Sequence, residues 1–132
     1  MLPLRSTAFV KSGTYHRPDL EHLHVVCTAP DPQGAQVLAP ICKLTNSSCD
    51  PACRLERREH PFLTKPSYIM YNKALLLSQE EIVEKFKAGE LTPDEDMNGQ
   101  TFLRVVGGLC KSEHTPRKLK RYLGCKAKEP TA

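Results

Sequence analysis

Tryptophan is absent, and aromatic residues make up only 6% of the chain. A binding face built on many stacked rings is therefore excluded, although one or two rings can still serve. No apolar run exceeds a few residues, so nothing in the sequence reads as a membrane-spanning helix. The first thirteen residues lack the apolar stretch and small-residue cleavage site of a secretory signal. That absence predicts a cytoplasmic location, with the six cysteines as free thiols in a reducing compartment. Also missing are a Walker loop, a Gly-rich dinucleotide fingerprint, an HExxH run and a GxSxG elbow. Nucleotide-dependent, zinc-protease and α/β-hydrolase chemistry are set aside on that ground. Internal repeats and low-complexity stretches are missing too.

What remains is an ordinary balance for a globular chain, 39% hydrophobic and 26% charged over 132 residues. That length fits one domain, residues 1–132, with a core large enough to need no staple. The formal charge is +4, and it is unevenly spread. Residues 80–96 are acidic. From Lys111 to Glu129 seven basic residues face only Glu113 and Glu129. Such a balance permits a polyanionic partner.

Period and turn chemistry give an α+β reading. Residues 1–19 read as irregular, with Pro3, Gly13 and Pro18. Residues 21–28 alternate as a strand, placing Leu23, Val25 and Cys27 on one face and His22, His24 and Val26 on the other. Residues 29–34 form a turn, where Pro fixes φ, Asp31 closes an Asx-turn and Gly34 allows positive φ. Residues 35–42 return as a second strand of a hairpin. Residues 45–51 read as a loop, and residues 53–66 as a loop or an irregular edge segment. Residues 67–77, rich in aromatic and aliphatic side chains, form the strongest strand, and their number calls for a bend or bulge. Ser78 and Glu81 make a capping box for a helix that stops at Gly89. Residues 90–99 read as an acidic connector. Phe102, Leu103, Val106, Leu109 and Cys110 recur at helical spacing, and Gly107-Gly108 suits close packing. Thr115 and Pro116 open a short basic helix that ends at Gly124.

Four groups of residues could carry chemistry. His22 and His24 share a strand face and could act as general acid and base in RNA scission; the plainer reading is two polar residues on a half-buried strand. The segment 54–68 gathers Arg54, Arg57, Arg58, His60, Lys65, Ser67 and Tyr68 ahead of the strongest strand. Its guanidinium groups could hold a phosphate and stabilise a phosphorane, or the segment could be a solvated charged loop. Arg117, Lys118, Lys120 and Arg121 could contact a phosphate backbone without reading sequence, dock on an acidic protein, or solubilise the chain. Cys42, Cys49, Cys53 and His60 supply four soft ligands for a tetrahedral zinc, without the usual paired knuckles, so semi-buried loop side chains are the plainer reading. No cofactor is expected.

The order of these features resembles the PemK/MazF-like toxin group. The carrying segments are HLHVVCTAP, VLAPICKLT and EHPFLTKPSYIMYNKALLL, followed by a helix opening SQEEI, over roughly residues 20–90. Leu38-Ala-Pro-Ile-Cys42 is similar to the Pro-Ile-Thr/Ser strand of that group. The resemblance implies a small SH3-like antiparallel barrel, with residues 91–132 as a basic helical extension. It also implies a metal-independent endoribonuclease acting on single-stranded RNA, with an antitoxin protein and a homodimer as further partners. The positions of that group's catalytic Arg and its Thr or Ser hold other residues here, the run 22–26 and Cys42. Catalysis then falls to His22 or His24 with His60, and to Arg57 or Arg58. Arg54, Arg57, Lys65, Ser67, Tyr68 and the four basic residues of 117–121 would hold substrate. The competing reading is a non-enzymatic module of phage or mobile-element origin that binds nucleic acid or a protein through its basic tail.

Overall fold

The computed structural model describes residues 1–11 and 20–126. Its order is β1 (Thr7–Lys11), β2 (Glu21–Val26), β3 (Gln36–Lys43), β4 (Arg54–Leu55), β5 (Ser67–Ile69), a 3-10 turn (Tyr71–Lys73), β6 (Leu75–Leu77), α1 (Gln79–Lys87), β7 (Leu91–Asp94), α2 (Gly99–Lys111) and α3 (Arg117–Leu123). The α+β expectation holds.

The strands form one antiparallel sheet in the order β4-β5-β3-β2-β1-β7, with β6 also on β3. The sheet is open, ending at β4 and β7, so the expected closed SH3-like barrel is not formed by the described strands. Alternation along β2 and β3 buries both faces of the sheet. Leu23, Val25, Val37, Ala39 and Ile41 pack with Val105 and Leu109 of α2 and Leu119 of α3. Val26 and Leu38 pack on the opposite side with Ala8, Val10, Leu77, Leu91 and Ile82 of α1. Each fully buried aliphatic side chain contributes about 1.5–3 kcal/mol, and the two clusters fix the helices on their faces.

The long segment 67–77 does bend. Ile41 pairs with Ile69, while three residues back along β3 Leu38 pairs with Leu75, six residues further on. The surplus of three is the 3-10 turn Tyr71–Lys73, which bulges out of the ladder and turns Tyr71 into the core. In the 29–34 turn the Asp31 carboxylate accepts from Gln33 N (2.8 Å) and Ala35 N (2.9 Å), and Gly34 sits at φ +83°. The Ser78/Glu81 capping box forms on both sides.

Four expectations need correction. Residues 7–11 are a strand, not irregular: Ala8 and Val10 are buried, and β1 pairs with β2 and β7. Residues 12–19 of that expectation, and Lys128 and Glu129 of the basic segment, lie outside the described residues. The acidic connector contains β7, where only Leu91 is buried and Pro93 is tolerated because the strand lies at the sheet edge. The edge alternative for 53–66 holds, since the short strand β4 lies at the edge of the sheet. In α3 the N-cap position falls to Pro116, and the Thr115 hydroxyl is buried without a partner instead of capping. Lastly, Cys110 and Cys125 are joined in a disulfide, leaving Cys27, Cys42, Cys49 and Cys53 free.

Candidate nucleic-acid interface

The histidines proposed as one catalytic group have three different environments. His24 is fully buried. Its Nδ1–H donates to the His22 carbonyl at 2.8 Å, which leaves Nε2 buried with no partner. Protonating Nε2 would place an unsatisfied cation in the core, so burial pulls this imidazole down to about 4. His24 is a core residue and reaches no substrate.

His60 is also buried, at 2% exposure. Its Nδ1 accepts from Phe62 N (3.1 Å), so Nε2 carries the proton, donating to the Glu95 carbonyl (3.0 Å) beside Thr7 Oγ1 (3.3 Å). The ring ties the loop after β4 to β1 and to the segment after β7. This is a positioning role, not an acid–base one.

That anchor sets the aromatic residue two positions on. Phe62 meets Phe9 edge to face, centroids 4.8 Å apart and planes at 83°. It is nonetheless 52% exposed. A ring held by this T-shaped contact and still about half exposed can serve as a stacking platform.

Phe62 forms one wall of a cleft of about 570 Å³ between the start of β2, the end of β3 and residues 62–67. The cleft is also lined by His22, Lys43, Lys65, Thr45 and Ser67, with Glu21 at its edge. Lys43 and Lys65 are exposed, and His22 is half-buried. The structure thus gathers His22, Lys65 and Ser67 of the expected residues, and adds Lys43 and Phe62. The sequence signal for Phe62 is His60-Pro-Phe62, an exposed aromatic locked behind a proline. Lys43 shows no comparable signal.

The other expected residues lie elsewhere. Arg57 and Arg58 are exposed on the turn after β4. Arg54 donates to the Cys49 carbonyl at 3.3 Å. Arg104, which sequence reasoning passed over, bridges Glu59 (2.5 Å) and the Arg54 carbonyl, holding the 54–59 segment against α2. The Ser67 hydroxyl is spent on the Lys65 carbonyl at 3.0 Å. Tyr68 lines a second, smaller cleft of about 270 Å³ with Cys49, Asn72 and His114. Arg117, Lys120 and Arg121 line a groove on α3, and Lys118 does not. The four ligands of the zinc reading are not brought together: among the described residues no group of three or more His, Cys, Asp or Glu is placed to hold a metal.

The small cleft separates the thiols chemically. Hydrogen bonds from the Thr45 and Asn46 backbone, then from the Thr45 and Tyr68 hydroxyls, stabilise the Cys49 thiolate and hold its thiol down to about 7. The Thr45 hydroxyl lies 3.7 Å from Sγ. Burial instead pushes Cys42 up to about 11 and Cys27 up to about 12. Cys49 is buried while Cys42 is half-buried, so access opposes the thiolate preference; we expect the rate of Cys49 modification by iodoacetamide to level off above about pH 8, while Cys27 stays unmodified in the folded protein. Peptide mass mapping across a pH series checks this; a Cys49 rate still climbing at pH 9, or labelling of Cys27, would contradict it.

None of the described helices is long and apolar enough to cross a membrane. Comparison with protein-family models, with curated proteins and with solved structures found no match.

Proposed function

We propose that the cleft beside Phe62 binds single-stranded RNA and that His22 serves there as the general base of a metal-independent endoribonuclease. One observation carries the reading: a preset, half-bare aromatic ring shares a cleft with two exposed lysines and a histidine. Each part answers a different need of the polymer. A base stacks on Phe62, which is sequence-tolerant because every base has a π-face. Lys43 and Lys65 attract the phosphates flanking it. His22, beside the sugar, takes the proton of the 2′-hydroxyl as that oxygen attacks the adjacent phosphorus. The P–O5′ bond breaks, the leaving oxygen is protonated from water, and a 2′,3′-cyclic phosphate results. The lysines offset the added negative charge of the phosphorane. The PemK/MazF-like resemblance is consistent with this substrate class, and the catalytic residues differ from that group's.

Binding is tested by fluorescence anisotropy with a labelled oligoribonucleotide. Phe62→Ala is expected to weaken binding roughly tenfold, the share of one stacked base. Lys43→Ala/Lys65→Ala is expected to make the logarithmic salt dependence shallower by about 1.4. Unchanged affinity in both variants would remove RNA from this cleft. Binding without cleavage would reduce the protein to a non-enzymatic RNA-binding module.

A further inference from the structure

The basic C-terminal residues are not spread evenly around their helix. On α3, Arg117, Lys120 and Arg121 stand at i, i+3 and i+4 and share one face. They line a groove of about 770 Å³ together with Lys126, Glu113 and the Cys110–Cys125 disulfide. The opposite side of the helix is spent on folding: Leu119 is buried in the main core, and the Tyr122 hydroxyl donates to Asp31 at 2.7 Å. The disulfide binds the chain after α3 to the last turn of α2, so Lys126 is held beside the groove.

This arrangement is unfavourable for folding alone. Like charges at i+3 and i+4 repel by a few tenths of a kcal/mol per pair. Lys120 and Arg121 gain something from the negative end of the helix dipole, but Arg117 lies in the first turn, where the dipole opposes a cation. The two ion pairs among the described residues, Arg5–Asp96 and Arg104–Glu59, involve none of the four groove cations. Four cations facing one carboxylate in a groove suit a chain of closely spaced negative charges.

We infer that the α3 groove is a second RNA contact, holding the phosphate backbone of a single-stranded segment through Arg117, Lys120, Arg121 and Lys126. The identity of the ligand rests on the single-stranded RNA reading above; the location of the groove does not. The contact reads charge and spacing, so it adds affinity without base preference. Lys118 is an internal control, a cation on the same helix that lies outside the groove.

The test is anisotropy with a labelled oligouridylate of about 20 nucleotides, long enough to occupy more than one contact, over a series of salt concentrations. The variant Arg117→Ala/Lys120→Ala/Arg121→Ala/Lys126→Ala is expected to bind at least tenfold more weakly, with a logarithmic salt slope shallower by about 3. Lys118→Ala is expected to stay within about twofold of wild type, because it is not in the groove. Circular dichroism confirms that each variant is folded. Wild-type affinity and slope in the quadruple variant would overturn the proposal, as would a loss in Lys118→Ala equal to that of a groove cation, or no binding of the oligonucleotide by the wild type. Competition by polyglutamate as strong as by RNA at equal charge would assign the groove to an acidic protein and overturn it too. The cleft variants run in parallel. If they bind normally while the groove variant fails, the cleft reading falls and the groove stands; the reverse result does the opposite.

Discussion

Replacing Gly108 with alanine is expected to lower the melting temperature by roughly 10 °C, while the same change at Gly107 leaves it unchanged or raises it. The two glycines are neighbours in α2 and differ only in what they face. A Cβ at Gly108 would lie 1.9 Å from the Tyr71 hydroxyl oxygen and 2.5 Å from Cζ. Tyr71 is fully buried, and its hydroxyl donates to the Val105 carbonyl at 2.7 Å, one turn back on the same helix. The ring cannot retreat without breaking that bond and disturbing the core, so the overlap costs about 2–3 kcal/mol, more than the alanine gains in helix propensity. Nothing lies within 4 Å of a Cβ at Gly107, so there the propensity gain of about 1 kcal/mol acts alone. Adding Tyr71→Phe to Gly108→Ala should recover part of the loss, since Cζ still collides. Thermal denaturation of wild type and the three variants decides it. Equal effects at the two glycines would mean that α2 does not dock on Tyr71 as described.

The second large effect is acid-linked. His24 titrates near 4 in the fold against 6.5 in the unfolded chain, so the unfolded state binds the proton more tightly between those values. Above pH 6.5 the group is neutral in both states and contributes no pH dependence. As pH falls from 6.5 toward 4, stability is lost, approaching about 3 kcal/mol by the lower limit. His24→Leu removes both the titration and the orphaned Nε2. It is expected to be at least as stable as wild type at pH 7 and to lose less stability between pH 6.5 and 4.5. Urea denaturation at a series of pH values measures this directly. A wild type equally stable at pH 7 and pH 4.5 would contradict the buried, partnerless placement of His24.

Local chemistry was readable from the residues, and distant pairing was not. The Ser78/Glu81 cap, the glycine stops at 89 and 124, and the Asp31 turn depend on neighbours in sequence, and all of them form. The alternation of 21–26 also holds. It could not show that α1 packs over the even face of β2 and its neighbour β1, which turns His24 from a solvent-facing candidate into a core residue. The strands β1 and β7 were missed because each is short and β7 has a single buried residue, so the period-2 signal lies below the noise of a loop. Their pairing with each other is non-local. The cleft follows the same pattern. His22, Lys65 and Ser67 were visible as residue types in a suggestive order. Lys43 and Phe62 join them only because β2, β3 and the loop fixed by His60 converge. A reading from compartment applies to all six cysteines alike and cannot single out Cys110–Cys125, whose pairing depends on α3 folding back onto α2.

The account rests on His22 being the one histidine of the three that can reach substrate. The direct measurement is cleavage of a labelled single-stranded RNA, with chelator present, by wild type, His22→Ala and His24→Leu. The account predicts cyclic-phosphate products from wild type and from His24→Leu, and a loss of at least a hundredfold in rate for His22→Ala, the usual share of a general base. Full cleavage by a folded His22→Ala protein, or loss of cleavage confined to His24→Leu, would contradict it.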